Sequence, residues 1–211
     1  MKDFGKSSLE LGAEASRVVA HICHRQGVDE VTMLCHAAST NWRQRYTTTR
    51  QRLDNLEACL EYKVTKRQPI NLLTEQVSQL GTDGLKSTCD TTFGGGVMSI
   101  TSSVHHGIAH IPMMNLHPNE GVLIEDIVTF IRHIYPGRPG YILSSGRHFH
   151  YYGDFLVDES GWRELLGYFL IAYDFVHPGY CGFRLFDGYS TLRLTAQPPY
   201  KPHVPKLVAT I

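Results

Sequence analysis

The chain has 211 residues, of which 42% are hydrophobic and 19% are charged, and its formal net charge is zero. This composition is typical of a folded globular protein of one or two domains and excludes a disordered chain. No apolar run reaches the roughly 18 residues of a membrane helix, and the first residues form no secretory signal. We therefore expect a cytoplasmic protein that has no membrane partner.

The cysteines are odd in number and widely spaced, without a Cys-x-x-Cys pair; they are Cys23, Cys35, Cys59, Cys89 and Cys181. Such spacing favours reduced thiols over a disulfide framework. Each of Cys23 and Cys35 is followed by a histidine, which allows a zinc site as an alternative. Their spacing matches no familiar closed zinc site, and buried thiols beside a helix end are the other interpretation.

The first 90 residues predict an N-terminal α/β module. Apolar residues at helical spacing predict a helix over 8–26, with Ser7 or Ser8 as its cap and Gly27 as its stop. A strand is predicted at 31–37 and another helix at 71–80, after Pro69. Residues 40–66 combine helical and extended signals, so their structure stays open. The turn-rich stretch 81–90 is the predicted boundary of the module.

Residues 41–67 form a basic segment, with seven basic and three acidic side chains. Two aromatic residues lie among its first arginines; the six residues are Trp42, Tyr46, Arg43, Arg45, Arg50 and Arg52. Basic side chains beside aromatic rings suit phosphate contact and base stacking, which predicts nucleic-acid binding by these arginines. An ordinary solvated helix face with an aromatic anchor is the alternative.

Residues 91–211 predict a second unit of strands and helices. Strands are predicted at 97–103 and 108–116, a helix at 121–134, a hairpin at 141–153 and a helix at 161–173. A last strand pair, 183–186 and 190–195, would turn at Asp187-Gly188, and the proline-rich tail 198–205 would form an extended surface strap. This order predicts an α+β fold with an antiparallel sheet and the helices on one face.

The hairpin carries the residues best suited to binding an oxyanion. Its turn contains Ser145, Gly146 and Arg147, and His150 follows on the second strand. Glycine allows close backbone approach, serine donates hydrogen bonds, and the planar guanidinium matches a phosphate. A plain hairpin whose histidines face water is the alternative.

These motifs, in this order, resemble the catalytic core of the archaeo-eukaryotic primase superfamily over roughly residues 94–207. Primase-polymerases of that superfamily have an RRM-like sheet, an Asp-x-Asp metal motif at a strand end, a Ser-x-His motif on the next strands and a third acidic residue. The corresponding positions here are Asn115 and His117, then Ser145 to His150, then His177. The resemblance implies an RRM-like antiparallel sheet and a nucleotide or nucleic-acid partner.

The resemblance also assigns candidate site residues. The implied nucleotide-binding residues are Ser145, Arg147, His150, Arg193 and Lys201. The metal positions depart from the pattern, because an amide and two imidazoles replace the three carboxylates that Mg²⁺ would need. Asp174 and Asp187 are alternative candidates for the third acid.

The replacement of the three metal-binding carboxylates leaves three hypotheses for the function. The first is a nucleotide- or nucleic-acid-binding protein that has lost catalysis. The second is an active nucleotidyltransferase that uses Mg²⁺ or Mn²⁺ with unusual ligands. The third is a metalloenzyme in which His110, His117, His150 and His177 hold Zn²⁺ or Mn²⁺, which accept imidazole. Seven of the twelve histidines lie between residues 105 and 150, which supports the third hypothesis.

Two geometric expectations test these hypotheses. Strands from 97 to 195 should form one antiparallel sheet that has both helices on a single face. Asn115, His117, His150 and His177 should surround one cleft, with His117 and His150 on the same face of the sheet.

Overall fold

A computed structural model describes residues 9–37 and 67–211. The α-helices in these ranges are α1 (Ala15–Arg25), α2 (Thr74–Phe93), α3 (Ile124–Ile134), α4 (Glu159–Ile171) and α5 (Pro178–Asp187). The strands are β1 (Glu30–His36), β2 (Arg67–Leu73), β3 (Val97–Thr101), β4 (Ser103–Val104), β5 (Ala109–His110), β6 (Met113–Leu116), β7 (Gly140–Ser144), β8 (Phe149–Gly153), β9 (Thr191–Arg193) and β10 (Lys206–Thr210). In the described ranges, none of the helices has the length and apolar character needed to cross a membrane.

The main strands form two antiparallel sheets of four strands each. The first sheet has the order β2-β1-β3-β9 and the second has the order β10-β7-β8-β6. The α+β prediction is confirmed, and so is the antiparallel pairing. The prediction of a single sheet is wrong, because β3 and β9 pair with β1 from the N-terminal part of the chain.

Two cores hold the layers together, and alternate residues of the second sheet enter different cores. The inner face, with Met113, Leu143 and Tyr152, joins the first core, which also contains α1, α2 and the first sheet. The outer face, with Met114 and Tyr151, joins the second core. Helices α3 and α4 both pack into this second core, so the prediction that these two helices cover a single face is confirmed.

Several predicted elements are correct in type. Helix α1 buries the predicted apolar stripe at Val18, Val19 and Ile22, and β1 falls at the predicted strand. Helix α3 starts at Ile124, three residues later than predicted, and α4 starts after Asp158, whose carboxylate accepts a 2.8 Å hydrogen bond from the Gly161 amide. The predicted strand at 108–116 is divided into β5 and β6.

Other predicted elements differ in their bounds. The helix predicted at 71–80 is confirmed from Thr74 on, where α2 begins, but its first three residues belong to edge strand β2. This strand tolerates Pro69 because one side of an edge strand needs no partner. The turn-rich stretch 81–90 is part of α2, which kinks at Gly81 (φ 58°, ψ −167°) and continues by burying Leu85 and Cys89. The division of the chain into modules 1–90 and 91–211 stays a prediction, and the two parts share the first core.

The C-terminal prediction also needs correction. The predicted strand at 183–186 lies in α5, which begins with Pro178 and ends at Gly188 in the left-handed conformation (φ 79°). Proline at a helix start and glycine after its end are the usual helix boundaries, so Asp187-Gly188 is a helix end and not a hairpin turn. The tail after residue 197 is a short turn closed by two backbone hydrogen bonds between Gln197 and Lys201, followed by strand β10 at the edge of the second sheet.

Candidate functional site

Two of the predicted site residues, Asn115 and His150, lie on the inner face of the second sheet. Asn115 on β6 is directly opposite His150 on β8 in the strand pairing. His117 follows the end of β6, and its ring stacks on that of His148, with centroids 3.8 Å apart and planes 5° from parallel. His148 is two residues before His150 and shares its face, so the strand pairing and the ring stack bring these four side chains together.

The turn between β7 and β8 is closed by its own hydrogen bonds. The amide and the hydroxyl of Ser145 both donate to the His148 carbonyl, at 2.8 and 3.0 Å. Gly146 has φ 105°, and a Cβ at this position would lie 2.9 Å from the His203 ring, so only glycine fits beneath the tail. Arg147 is exposed at the tip of the turn, where its guanidinium can meet an anion from solvent.

Arg193 ties this turn to the first sheet. It lies opposite Ser99 in the β3–β9 pairing, and its guanidinium donates to the backbone carbonyls of Ser145, Thr195 and His203. Burial lowers its pKa to about 10. Arg193 therefore holds the turn and the tail in place. The family resemblance implied that this guanidinium binds a nucleotide, whereas here it donates to backbone carbonyls.

His150 is a neutral imidazole at neutral pH. It is 3% exposed, and burial lowers its pKa well below the ordinary value, with further lowering by Arg193 and Lys201. Its Nδ1 atom has no hydrogen-bond partner in residues 9–37 and 67–211. A buried, unpartnered imidazole nitrogen is free to meet a donor or an acceptor, depending on its tautomer.

A second group of polar residues on the first sheet was missed by the sequence analysis. His36 at the end of β1 shares a 2.8 Å hydrogen bond with Ser99 Oγ, and its pKa is lowered to about 4 by burial and by Arg67, Arg184 and Lys201. Lys201 makes a smaller contribution to the lowered pKa of both His36 and His150. The contact of His36 with Ser99 depends on the pairing of β1 with β3, which no local sequence pattern shows. Arg184 lies on a helix that the sequence analysis predicted as a strand.

Asp187, one of the alternative third acids, lies in this group. Its side chain is 1% exposed, and its Oδ2 atom is 2.9 Å from Arg67 and 2.8 Å from Arg184. Two guanidinium groups therefore hold this carboxylate as a structural ion pair. The other candidate, Asp174, is exposed and accepts a 2.8 Å hydrogen bond from Asn119.

His177 caps helix α5. Its Nδ1 atom accepts a 3.2 Å hydrogen bond from the Gly179 amide, and its side chain is exposed. The segment before it lies beside the end of β6, because the His117 amide donates to the Phe175 carbonyl at 2.8 Å. His177 is thus connected to the site through the backbone, while one of its ring nitrogens is used as a cap.

The histidines do not form a metal cluster in the described part of the chain, where no three His, Cys, Asp or Glu side chains are grouped as ligands. Asn115 and His117 offer an amide and an imidazole, which bring no negative charge for Mg²⁺, so these residues do not fit the metal pair that the primase resemblance implies. The zinc alternative at Cys23 and Cys35 has no support in the described residues, where both thiols are free and buried and belong to no group of three ligands.

His110 belongs to a separate network. Its Nδ1 atom is 3.0 Å from Ser102 Oγ and its Nε2 atom is 3.0 Å from Glu159 Oε2, while its ring stacks on Trp162. The order serine, histidine, glutamate is that of a hydrolase triad, but Ser102 is fully buried and its Oγ also accepts the amide hydrogen of Ser190. The network is therefore a structural link between β5 and α4.

The remaining predicted residues, Arg43, Arg45, Arg50 and Arg52, lie outside the described residues.

Comparison with known proteins gives one match. A family model described as AEP-like, archaeo-eukaryotic primase 1D-like, matches residues 76–206, which is more than half of the chain. The matched range contains the turn at Ser145, the paired Asn115 and His150, and Arg193. No curated protein and no solved structure matches.

Proposed function

Because the chain belongs to the AEP-like family of archaeo-eukaryotic primase 1D-like domains, we propose that it binds a nucleotide or a nucleic acid and no longer catalyses nucleotidyl transfer. The observation that carries the proposal is that Asn115 lies opposite His150 on the inner face of the second sheet, while Asn115 and His117 stand where the family pattern calls for carboxylates. The predicted resemblance is confirmed by the family match, while the loss of catalysis is the new element of the proposal.

The charges around the site support binding of an anion. Burial lowers the pKa of His150 most, and the positive charges of Arg193 and Lys201 lower it further. Arg147 adds an exposed cation at the tip of the turn. A positive, polar surface attracts phosphate groups and repels metal cations, which favours binding and opposes two-metal catalysis.

The proposal assigns different tasks to the predicted residues. Arg147 contacts phosphate directly at the entrance. Ser145 and Arg193 hold the shape of the turn, since their polar groups are used on backbone carbonyls. Lys201 supplies positive charge from the tail, and Asn115 and His117 line the inner face without a metal.

Two assays on the purified full chain test the proposal. In a titration with ATP, or with a short single-stranded oligonucleotide, we expect saturable binding by the wild type and about tenfold weaker binding by Arg147→Ala, because a charge-assisted contact is lost. Arg132→Ala, an exposed arginine on α3, is the matched control and should bind as the wild type does. In a primer-extension assay with Mg²⁺ or Mn²⁺ we expect no product.

Each contrary result points to one of the alternatives. Primer extension by the wild type would establish the active nucleotidyltransferase and refute the loss of catalysis. Stoichiometric zinc in the purified protein, together with no binding of ATP or oligonucleotide, would favour the histidine metalloenzyme.

A further inference from the structure

Several buried polar atoms in the described part of the chain have no hydrogen-bond partner. Among them are Nδ1 of His150, Oη of Tyr152 and Nε of Arg184, which lie near strand β9. Their residues are 3%, 0% and 5% exposed. Each unpartnered buried polar group costs about 1–3 kcal/mol, so a cluster of them calls for an explanation.

The three residues form a continuous row. The rings of His150 and Tyr152, two residues apart on the same face of β8, have centroids 6.4 Å apart. Tyr152 belongs to the first core, and Tyr180 packs against this core. Burial, and after it Tyr180, raises the pKa of Tyr152, and the Arg184 guanidinium lies 5.2 Å from the centre of the Tyr180 ring. We call His150, Tyr152 and Arg184 the donor row.

Hydrogen bonds to residues of β9 and α5 hold the donor row in place. The Tyr180 hydroxyl donates to the Thr191 carbonyl at 3.1 Å, and Arg184 donates to the Thr191 hydroxyl and, at 2.8 Å, to Asp187. These contacts engage both terminal nitrogens of Arg184, while its Nε has no partner in the described residues. The orientation of the row therefore does not depend on a ligand.

The chemistry of the row selects the type of ligand. Tyr152 Oη and Arg184 Nε carry donor hydrogens, and His150 Nδ1 donates in one of its two tautomers. A set of donors near the guanidinium groups of Arg193 and Arg184, the second of which is also paired with Asp187, suits a ligand made of acceptor oxygens. A linear polyphosphate has such oxygens along its length.

We propose that the donor row is a polyphosphate subsite that binds the phosphates of the nucleotide or nucleic acid directly, without a divalent metal ion. This inference rests on the proposed function and adds Tyr152 and Arg184 to the residues that contact the ligand. The tail near His203 covers the turn at Gly146 and is held by Arg193.

The test uses inorganic tripolyphosphate and ATP as probes, each titrated into the full chain in EDTA and again in Mg²⁺. We expect both probes to bind in EDTA, and Tyr152→Phe and Arg184→Lys each to weaken tripolyphosphate binding about tenfold. Arg184→Lys keeps the positive charge beside Asp187 but removes Nε. Tyr151→Phe is the matched control, because this neighbouring tyrosine faces the second core, and it should bind as the wild type does.

Other outcomes separate this inference from the proposed function. Binding of ATP that is weakened by Arg147→Ala but unchanged in Tyr152→Phe and Arg184→Lys would overturn the donor row and leave the proposed function standing. Binding that requires Mg²⁺ would also overturn the metal-free subsite. Absence of any nucleotide or oligonucleotide binding, with or without Mg²⁺, would refute the proposed function and the inference with it.

Discussion

Tyr141 and Tyr152 are directly opposite each other in the β7–β8 pairing, and both contribute to the first core. The Tyr141 hydroxyl donates to Asp154 at 3.1 Å, whereas the Tyr152 hydroxyl has no partner in the described residues. Two neighbouring tyrosines of one sheet thus differ in whether the hydroxyl group is hydrogen-bonded. The comparison separates polar residues that hold the fold together from polar residues that are available to a ligand.

The region around Asp154 is a closed polar junction, formed by Arg25, Gln26, Tyr141 and Asp154. The Asp154 carboxylate accepts hydrogen bonds from Arg25 at 2.7 Å, Gln26 at 3.1 Å and Tyr141. It connects α1 to the second sheet, and both oxygens of the carboxylate accept hydrogen bonds. A junction with its hydrogen bonds complete stabilises the fold and has no capacity left for a ligand.

Acid should destabilise the region of the donor row strongly. Burial lowers the pKa of His36 to about 4 and that of His150 well below its ordinary value. The unfolded chain therefore binds protons below about pH 6.5 that the folded chain does not, so stability is complete above that pH and is lost as the pH falls. For His36 alone we expect the free energy of unfolding to fall by about 3 kcal/mol between pH 7 and pH 4.

Urea unfolding at several pH values measures this effect. His36→Gln and His150→Gln should each reduce the loss of stability in acid, while His133→Gln, on an exposed position of α3, should not. An acid loss that is the same in all three variants would show that the buried histidines near β9 are not its source.

The closed junction should be the part of this comparison most sensitive to mutation. Asp154→Ala removes the acceptor shared by Arg25, Gln26 and Tyr141, and we expect a loss of about 2–3 kcal/mol in the free energy of unfolding. Because Arg25 is half-exposed, water can replace part of its hydrogen bonding to Asp154 in the variant. The loss of stability should therefore be smaller than for a fully buried ion pair. Asp83→Ala, an exposed position on α2, is the control for urea unfolding. A loss below about 0.5 kcal/mol would contradict the structural role of the junction.

The two regions also differ in how far the sequence predicts them. Apolar periodicity is local, so it correctly indicated α1, β1, α3 and α4, and the family motif correctly brought Asn115 and His150 to one face. The donor row was missed because Arg184 lies on a helix that was interpreted as a strand. A signal for that helix was present in Pro178 and Gly188, which mark its start and end. His36 could not be found at all, since its position depends on the pairing of β1 with β3, which is distant in sequence.

Tyr141→Phe should have a smaller effect than Asp154→Ala. The ring stays in the first core, and the variant removes one hydrogen bond to a carboxylate that keeps its other donors. We expect a loss of about 1 kcal/mol in the free energy of unfolding. A change within about 0.3 kcal/mol of zero would mean that the hydroxyl adds nothing to the junction.

Tyr152→Phe should have the smallest effect on the ligand-free protein, and of the opposite sign. Its hydroxyl is buried without a partner, so its removal should leave stability unchanged or raise it by up to about 1 kcal/mol. The same variant should lose most of the thermal stabilisation that tripolyphosphate gives the wild type, because the ligand no longer meets the hydroxyl. A loss of about 1 kcal/mol without ligand, equal to that of Tyr141→Phe, would mean that the Tyr152 hydroxyl has a structural partner such as a buried water. In that case the two tyrosines would be equivalent, and the donor row would be a second closed junction.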